Sequence, residues 1–340
     1  MGKRSILLVL SLLTMASCSN VKNSENSSKE VSENGTSISE SSSSSEEVSS
    51  VTPSYSSEEI SSVISSTNKE SSSEVSSSSI SSIYHENNDT TYYDNVDTSL
   101  DGEEFMKSIY NVISKNTVDV TYKGAWTAFK TTDIKPGTNN IIYDMYSNCE
   151  YECGGSKQGA NYKKEGDSYN REHTIPQSWF NEASPMKADL FHLYPTDGYV
   201  NNIRSNYPHG NVKSASKTTG NGSKLGTCSS KYYSGTVFEV IDEYKGDFAR
   251  SYLYFAVRYM NKVGSWGSGA DVVFKGSFPY LTDFAIDTYI SWCKLDPVSE
   301  KEISRNEAVY KLQKNRNPFI DHESWIYKIW DTSYYSQIIG

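Results

Sequence analysis

The sequence has no apolar run long enough to cross a lipid bilayer as a helix. The apolar run near its start, residues 6–13, has the length of the core of an export signal, and the basic residues Lys3 and Arg4 precede it. We therefore predict that residues 1–18 are an export signal and not a part of the fold.

Small residues stand directly before Cys18, as they do at bacterial lipoprotein cleavage sites. Cleavage there would leave a lipidated Cys18 as the mature N-terminus, and the lipid would attach the protein to a membrane. The alternative is ordinary secretion with an unmodified Cys18. In either case we expect an exported protein, a cell-surface lipoprotein or a secreted one, with no other membrane contact.

An excess of positive charge is also lacking, since the formal net charge is −10. The acidity is concentrated near the N-terminus, because residues 19–100 hold three Lys against fourteen Asp or Glu. Residues 101–340 are left with a formal charge of −1. The global basicity typical of nucleic-acid-binding domains is absent, but a nearly neutral domain is compatible with an anionic partner.

Cysteine is scarce, with five residues of which Cys18 is one. The other four allow three disulfide pairings, and the sequence does not choose among them. Cys149 and Cys153 are close enough in the chain for a local staple, and an exported protein meets conditions that permit one. Structural zinc is the alternative, but a matching second Cys or His pair is missing. The four cysteines are Cys149, Cys153, Cys228 and Cys293.

Residues 19–100 lack the apolar side chains that a core requires and are dominated by Ser and Glu. This composition predicts a disordered linker, whose root-mean-square span is about 50 Å for about 75 flexible residues. Nearly all Trp, Phe and Gly lie in residues 101–340, which are enough for one large domain. We predict a single domain of mixed α and β structure and expect a monomer.

Apolar periodicity places the elements of this domain. Helices are predicted at 102–115, 122–130, 248–260, 281–295 and 299–314, with a last short helix within 315–330, and a strand is predicted at 140–146.

The residue types needed to hydrolyse a phosphodiester occur together in 170–206. His173 titrates near neutrality and suits a general base that activates water. The carboxylate of Glu172 and the amide oxygen of Asn201 suit a hard divalent ion such as Mg²⁺. Arg204 would lie about one helical turn beyond Asn201, on the same face. The alternative is that His173 is structural and that Asn201 caps a helix.

Three motifs in this segment resemble the endonuclease I family of secreted and periplasmic bacterial nucleases. They are Arg-Glu-His-x-x-Pro-x-Ser-Trp at 171–179, Asp-Leu-x-His-Leu-x-Pro at 189–195 and Val-Asn-x-x-Arg-Ser-Asn at 200–206. Weaker similarity extends over roughly 102–330.

The resemblance implies a ββα-metal finger within the domain. Its first strand would end at Glu172 and His173, its second strand would be 190–194, and its helix would begin near Thr196 and carry Asn201. Glu172 and Asn201 would bind Mg²⁺ or another divalent cation, and His173 would be the general base. Because neighbouring side chains on a strand point to opposite faces, the backbone must turn or bulge there if both are to reach one site.

The sequence departs from the family pattern at one position. The family has an Arg between the His and the Asn that holds the cleaved phosphate, whereas 174–200 contains only Lys187 and His192 as basic residues. We hypothesise that Arg204 or Arg250 takes this catalytic role. Asp189 is a candidate for orienting the ring of His173.

Residues 198–238 contain five basic side chains and no acidic one. This segment suits contact with a phosphate backbone, and a solvated surface loop is the alternative. The basic residues are Arg204, Lys213, Lys217, Lys224 and Lys231.

Taken together, the residues and the resemblance predict an extracellular, metal-dependent, non-specific endonuclease that acts on DNA, with RNA as a second polymer substrate. One alternative is a metal-dependent phosphodiesterase for a small or lipid substrate, which would need a deep closed pocket. The other is a non-catalytic surface protein that binds nucleic acid or a host component.

Overall fold

A computed structural model describes residues 84–88, 90–159, 161–267 and 269–339. The predicted export signal, Cys18 and most of the predicted linker lie outside the described residues. Within the described residues, no helix is both long enough and apolar enough to cross a membrane.

The described chain forms a mixed α+β fold, as predicted. The helices are α1 Gly102–Ile113, α2 Ala125–Thr132, α3 Gly198–Arg204, α4 Lys245–Arg258, α5 Asp283–Leu295, α6 Glu300–Gln313, α7 Pro318–Asp321, α8 Ser324–Trp330 and α9 Thr332–Ile339. The strands are β1 Tyr169–His173, β2 Leu193–Asp197, β3 Val212–Thr218, β4 Lys224–Cys228 and β5 Thr236–Glu239. Short 3-10 turns lie between several of these elements.

Helix α4 forms the centre of the core. Every residue from Lys245 to Val257 is buried, which is the pattern of a helix enclosed on all sides and not of an amphipathic surface helix. It packs against α1, α5 and α7. The finger strand β2 also contacts it, because the Tyr194 hydroxyl lies 2.8 Å from Ser251 Oγ of α4.

The four long helices lie where the periodicity predicts them, with each end within three residues of the expected position. The start of α6 has a local cause in the sequence. Ser299 accepts from the backbone of Glu302, and the Glu302 side chain accepts from the backbone of Ser299, which makes a capping box.

The strand predicted at 140–146 is not formed. Ile141 and Ile142 make only isolated bridges, and the chain then turns because Asp144 Oδ1 accepts from the backbone N–H of Tyr146 at 2.9 Å. A side chain that bonds to a nearby backbone in this way competes with a strand ladder.

Residues 212–239, for which no strand was predicted, form the antiparallel sheet β3–β4–β5. The alternating pattern that would reveal β3 is missing, because its residues after Val212 are all exposed. Irregularities in the β3–β4 pairing between Val212 and Ser214, and between Ala215 and Lys217, blur the period further.

Residues 84–100, predicted as the end of the linker, pack against the C-terminal helices. Tyr93 donates to Asp321 Oδ2 at 2.8 Å, Glu86 Oε2 lies 2.8 Å from His322 Nδ1, and the backbone N–H of Glu323 donates to His85 O. The folded part therefore begins before residue 101.

All four cysteines in the described residues are free thiols. Cys149 and Cys153 do not form the local staple considered above. Burial raises the pKa of the Cys153, Cys228 and Cys293 thiols, so they remain protonated and unreactive at neutral pH.

Candidate active site

The finger consists of β1, β2 and α3. In the antiparallel β1–β2 pair, Glu172 lies opposite Tyr194 and His173 lies opposite Leu193. The first strand ends at His173, as expected, and the chain bends at the next two residues. Glu172 and His173 therefore reach one cleft from opposite faces of the strand end, with no bulge in the pairing.

The second strand begins three residues later than expected, at Leu193. The cause is a turn built by Asp189, whose side chain accepts from the backbone N–H of Phe191 at 3.0 Å and whose carbonyl accepts from His192. The helix begins at Gly198, two residues after Thr196, and carries Asn201 as expected. Asp197 caps it by accepting from the N–H groups of Tyr199 and Val200.

A polar cleft of about 250 Å³ opens beside the finger. Among its lining residues only Pro176 is aliphatic. The lining residues are Tyr122, Asn170, Arg171, Glu172, His173, Pro176, Gln177, Asn201, Arg204, Ser205 and Asn206. The sequence-predicted residues Glu172, His173, Asn201 and Arg204 are thus brought together.

His173 is held as a neutral imidazole with one free nitrogen. Its Nε2 lies 2.9 Å from the carbonyl oxygen of Lys187. A carbonyl only accepts, so Nε2 carries the proton and Nδ1 keeps its lone pair. Burial, and secondarily His192, lowers the pKa of His173 to about 3. The ring is therefore unprotonated at neutral pH, which is the form a general base needs, while the low pKa makes the imidazole a weak base.

Glu172 forms the buried floor of the cleft and is 1% exposed. Its Oε1 accepts from the hydroxyl of Tyr146 at 2.7 Å and from Nη1 of Arg204 at 2.6 Å. Burial raises the pKa of Glu172, while Arg204 and Tyr146 act in the opposite direction.

Arg204 is fully engaged by the protein. Besides Glu172, its Nη1 donates to His173 O at 2.7 Å, its Nη2 to Thr174 O, and its Nε to Tyr207 O at 3.0 Å. The guanidinium ties α3 to the end of β1. It is 1% exposed, so it is not placed as a free phosphate-binding group.

Arg250 does not line the cleft. It is completely buried in α4, where Nε and Nη2 each donate to Glu302 at 2.6 Å and Nη1 lies 3.4 Å from Glu323. These contacts fasten α4 to α6 and α8. The structure therefore gives no geometric basis for the hypothesis that Arg250 holds the phosphate.

Asn201 and Glu172 each leave an oxygen free of the hydrogen bonds described above. Asn201 Nδ2 donates to Asn170 Oδ1 at 2.7 Å, which leaves Asn201 Oδ1. Both side-chain hydrogen bonds to Glu172 end on Oε1, so Oε2 accepts from neither Tyr146 nor Arg204; the carboxylate also accepts from the backbone N–H of His173. A carboxylate and an amide oxygen fit Mg²⁺, which commonly completes its coordination with water and substrate phosphates. In the described residues, no group of three or more His, Cys, Asp or Glu gathers as a metal site.

A second layer of buried side chains lies behind Glu172, and the sequence did not predict it. His209 is fully buried and lies 2.9 Å from the Tyr146 hydroxyl and 3.0 Å from the Tyr252 hydroxyl. The Tyr252 hydroxyl also lies 2.9 Å from Thr174 O. Because these partners come from distant segments, spacing in the sequence could not reveal them.

Asp189 does not orient His173. Its carboxylate accepts from Tyr254, Tyr259 and Gln313, at 2.9, 2.7 and 2.9 Å, and so joins the finger to α4 and α6. The Lys187 carbonyl takes the orienting role that was expected of Asp189.

Three further cleft residues were not assigned a role from the sequence. Tyr122 enters from a segment about 50 positions before the motif, where no local signal marks it. Arg171 lies inside the motif and stacks on Tyr122. Gln177 Oε1 is buried without a hydrogen-bond partner in the described part of the chain.

Strands β1 and β2 and helix α3 thus form a ββα unit that carries the polar cleft. The chain belongs to the endonuclease I family, whose model matches residues 101–324. It is 35% identical over 257 residues to an extracellular ribonuclease of Bacillus amyloliquefaciens, covering 74% of this chain and 82% of the relative. It is 33% identical over 244 residues to an extracellular ribonuclease of Bacillus subtilis strain 168, covering 71% and 78%. The protein is thus a nuclease by family.

Proposed function

We propose that the protein is an extracellular, metal-dependent endonuclease with little sequence preference that hydrolyses RNA as well as DNA. The observation that carries this proposal is that His173, whose Nε2 is bonded to a carbonyl, lines one cleft together with Glu172 and Asn201. The names of the relatives support RNA as a substrate and an extracellular site of action.

The residues divide the chemistry among them. His173 Nδ1 accepts the proton of the attacking water, while the Nε2 bond to Lys187 O holds the ring in the required tautomer. Glu172 and Asn201 would hold the divalent cation, which when bound polarises the phosphate and stabilises the leaving oxygen. Arg204 and Tyr146 keep the Glu172 carboxylate in place.

The shape of the cleft favours a polymer over a small or lipid substrate. It is open and lined by polar groups, whereas sites for small ligands are mostly apolar and enclose most of the ligand. An open polar cleft admits a phosphate backbone at any position along a chain, which is consistent with cleavage of low sequence specificity.

We also propose that the protein is exported and that a lipid on Cys18 attaches it to a membrane. The support is the sequence of residues 1–18. Mass spectrometry of the N-terminal peptide from cell-associated and culture-medium fractions tests it. A diacylglyceryl-modified Cys18 is expected, and a cleaved but unmodified N-terminus in the medium would contradict the lipid.

The function is tested by degradation of plasmid DNA and of total RNA by the full chain, with Mg²⁺ and with EDTA. We expect cleavage that needs the metal and that falls roughly 10²–10⁴-fold in His173→Ala, as is typical when a general base is removed. His322→Ala, which alters a histidine outside the cleft, is the matched control. Cleavage of neither polymer by the folded wild-type chain would refute a nuclease and favour the binding-protein alternative.

A further inference from the structure

Two arginines line the cleft, and they differ in burial and in hydrogen bonding. Arg204 is buried and donates hydrogen bonds to Glu172 and to backbone carbonyls. Arg171 is only half-buried and lines the same cleft. We propose that Arg171 is the catalytic residue that binds the scissile phosphate and that the ring of Tyr122 positions it. This inference rests on the proposed nuclease function.

Most N–H groups of the Arg171 guanidinium donate no hydrogen bond to the described residues. A guanidinium has five N–H donors. Within the described residues, the hydrogen bond that Arg171 makes runs from Nη1 to Tyr122 O at 2.5 Å. Within the described part of the chain it forms no ion pair with a carboxylate. A partly buried cation without a counter-ion is unfavourable, and a phosphate supplies the missing negative charge in a geometry that a planar guanidinium matches.

Tyr122 fixes where that charge lies. The guanidinium carbon of Arg171 is 3.4 Å from the centre of the Tyr122 ring and 4.6 Å from that of Trp126. The ring of His173 stacks on Tyr122 as well, with centres 5.3 Å apart and planes inclined by 27°. One aromatic side chain therefore contacts both the proposed base and the proposed phosphate-binding cation.

The strand geometry agrees with this arrangement. Residues i and i+2 of a strand share a face, so Arg171 and His173 lie on the same side of β1, whereas Glu172 points to the other. A phosphate held by Arg171 would thus lie on the same side of β1 as the proposed base, in the cleft that Glu172 also lines. Arg171 would neutralise a non-bridging oxygen while His173 removes the proton of the water that attacks phosphorus.

The backbone before Tyr122 is strained in a way that holds the platform. Thr121 has φ of 63°, which is unfavourable for a β-branched residue. Its Oγ1 accepts from the N–H of Gly124 at 3.0 Å, and its carbonyl accepts from Ala125 at the start of α2. Such strain persists where the surroundings impose it and is concentrated at functional sites.

Lys187, the basic residue found in the interval that lacks an arginine, is less suited. Its Nζ also lies 5.0 Å from the centre of the Tyr122 ring, but it is paired with the carboxylate of Glu182. Lys187 contributes to the site through its carbonyl, which holds His173. Arg171, directly before the Glu-His pair, is therefore the basic side chain of the cleft that is better placed to bind a phosphate.

The test compares Arg171→Met and Arg171→Lys with Lys123→Met. Met keeps a polarisable chain packed on the rings, Lys keeps the charge without the fork, and Lys123 is an exposed residue beside Tyr122 that does not line the cleft. We expect kcat/KM to fall about 10²–10³-fold in Arg171→Met, less in Arg171→Lys, and little in Lys123→Met.

Binding supplies a readout that a merely structural role would not change. With His173→Ala as background, the affinity for a double-stranded oligonucleotide is measured from low to moderate salt. Adding Arg171→Met should reduce the slope of log K against log salt by about 0.9, the value for one phosphate contact. Thermal unfolding identifies variants that fail to fold.

The outcomes separate the two proposals. If wild type cleaves through His173 but Arg171→Met keeps its turnover or its salt slope, the role of Arg171 is refuted and the nuclease stands. Equal losses in Arg171→Met and Lys123→Met would also refute it, because general charge would then be responsible. If wild type does not cleave, the proposed function itself fails.

Discussion

Glu172 and Arg204 form an ion pair that is almost completely shielded from water, with side-chain exposures of 2% and 1%. Burying a charge pair costs desolvation, and the interaction repays it only while both partners are present. Arg204→Met would leave the Glu172 carboxylate without its cation. We expect the free energy of unfolding to fall by about 3–5 kcal/mol, measured by urea denaturation.

The control is the double variant Glu172→Gln with Arg204→Met. Because Gln carries no charge to leave unpaired, the double variant should lose less stability than the sum of the two single changes. Simple additivity would show that the pair contributes little. A loss of activity in Arg204→Met would in any case report on the support of Glu172 and not on phosphate binding.

The pKa shifts of His173 and Glu172 predict how catalysis and metal binding depend on pH. Burial lowers the pKa of His173 to about 3, so the base form persists far below pH 6.5. Burial raises the pKa of Glu172, so protons compete with a metal for its carboxylate as the pH falls. We expect acidification from about pH 8 to pH 5 to weaken metal affinity while kcat at saturating metal changes little.

Steady-state cleavage of an oligonucleotide over a series of Mg²⁺ concentrations at each pH separates the two effects. A kcat at saturating metal that falls about tenfold per pH unit below pH 6.5 would contradict the expectation. The same shift also bears on stability. Since the folded-state pKa of His173 lies below its unfolded value, its contribution is lost as the pH falls from about 6.5 toward 3.

At the scale of elements, the short helix α3 depends on its cap. Asp197 accepts from Tyr199 N and Val200 N at 2.8 and 2.9 Å, and also from Gly166 N at 2.8 Å and from the Tyr151 hydroxyl. Asp197→Ala removes these contacts. We expect a loss of about 1–3 kcal/mol and, because α3 carries Asn201, weaker metal binding measured by isothermal titration calorimetry.

Ser299→Ala is the matched control, because it removes the cap of α6, a helix that carries no proposed metal ligand. It should cost about 1 kcal/mol and leave the metal affinity unchanged. If both variants weaken metal binding equally, loss of general stability and not displacement of α3 would be the cause.

The elements show what the sequence could predict and why. Helices α1, α4, α5 and α6 have sustained apolar periodicity or clear caps, so their positions follow from local signals. Strand β3 has neither, because its solvent-exposed residues carry no alternation. The start of β2 was misplaced because a single side-chain turn at Asp189 outweighed the apolar run around it.

The site divides in the same way. The motif brings Glu172, His173 and Asn201 to one cleft because they belong to one finger of consecutive elements. Tyr122 belongs to a different part of the chain, and its place beside His173 is decided by tertiary packing. Arg250 shows the converse, since its helix was predicted but its burial between Glu302 and Glu323 was not.

Across the whole molecule, tyrosine serves as packing residue and hydrogen-bond donor at once. The sequence contains 26 Tyr, and no hydrogen-bonding role was predicted for any of them. Several instead satisfy buried carboxylates, which lowers the cost of burying them. These pairs are Tyr93 with Asp321, Tyr146 with Glu172, Tyr151 with Asp197, and Tyr254 and Tyr259 with Asp189.

The segment at the start of the described chain lies against the segment near its end. The Tyr84 hydroxyl contacts that of Tyr334, and its ring packs on Tyr327 with centres 5.3 Å apart. The two ends of the described chain, near Tyr84 and near Tyr334, therefore lie on the same side of the folded unit. A folded unit whose two ends lie close together can be fused to a different N-terminal segment or inserted into another protein without a change in its fold. Such fusions would change where the nuclease acts.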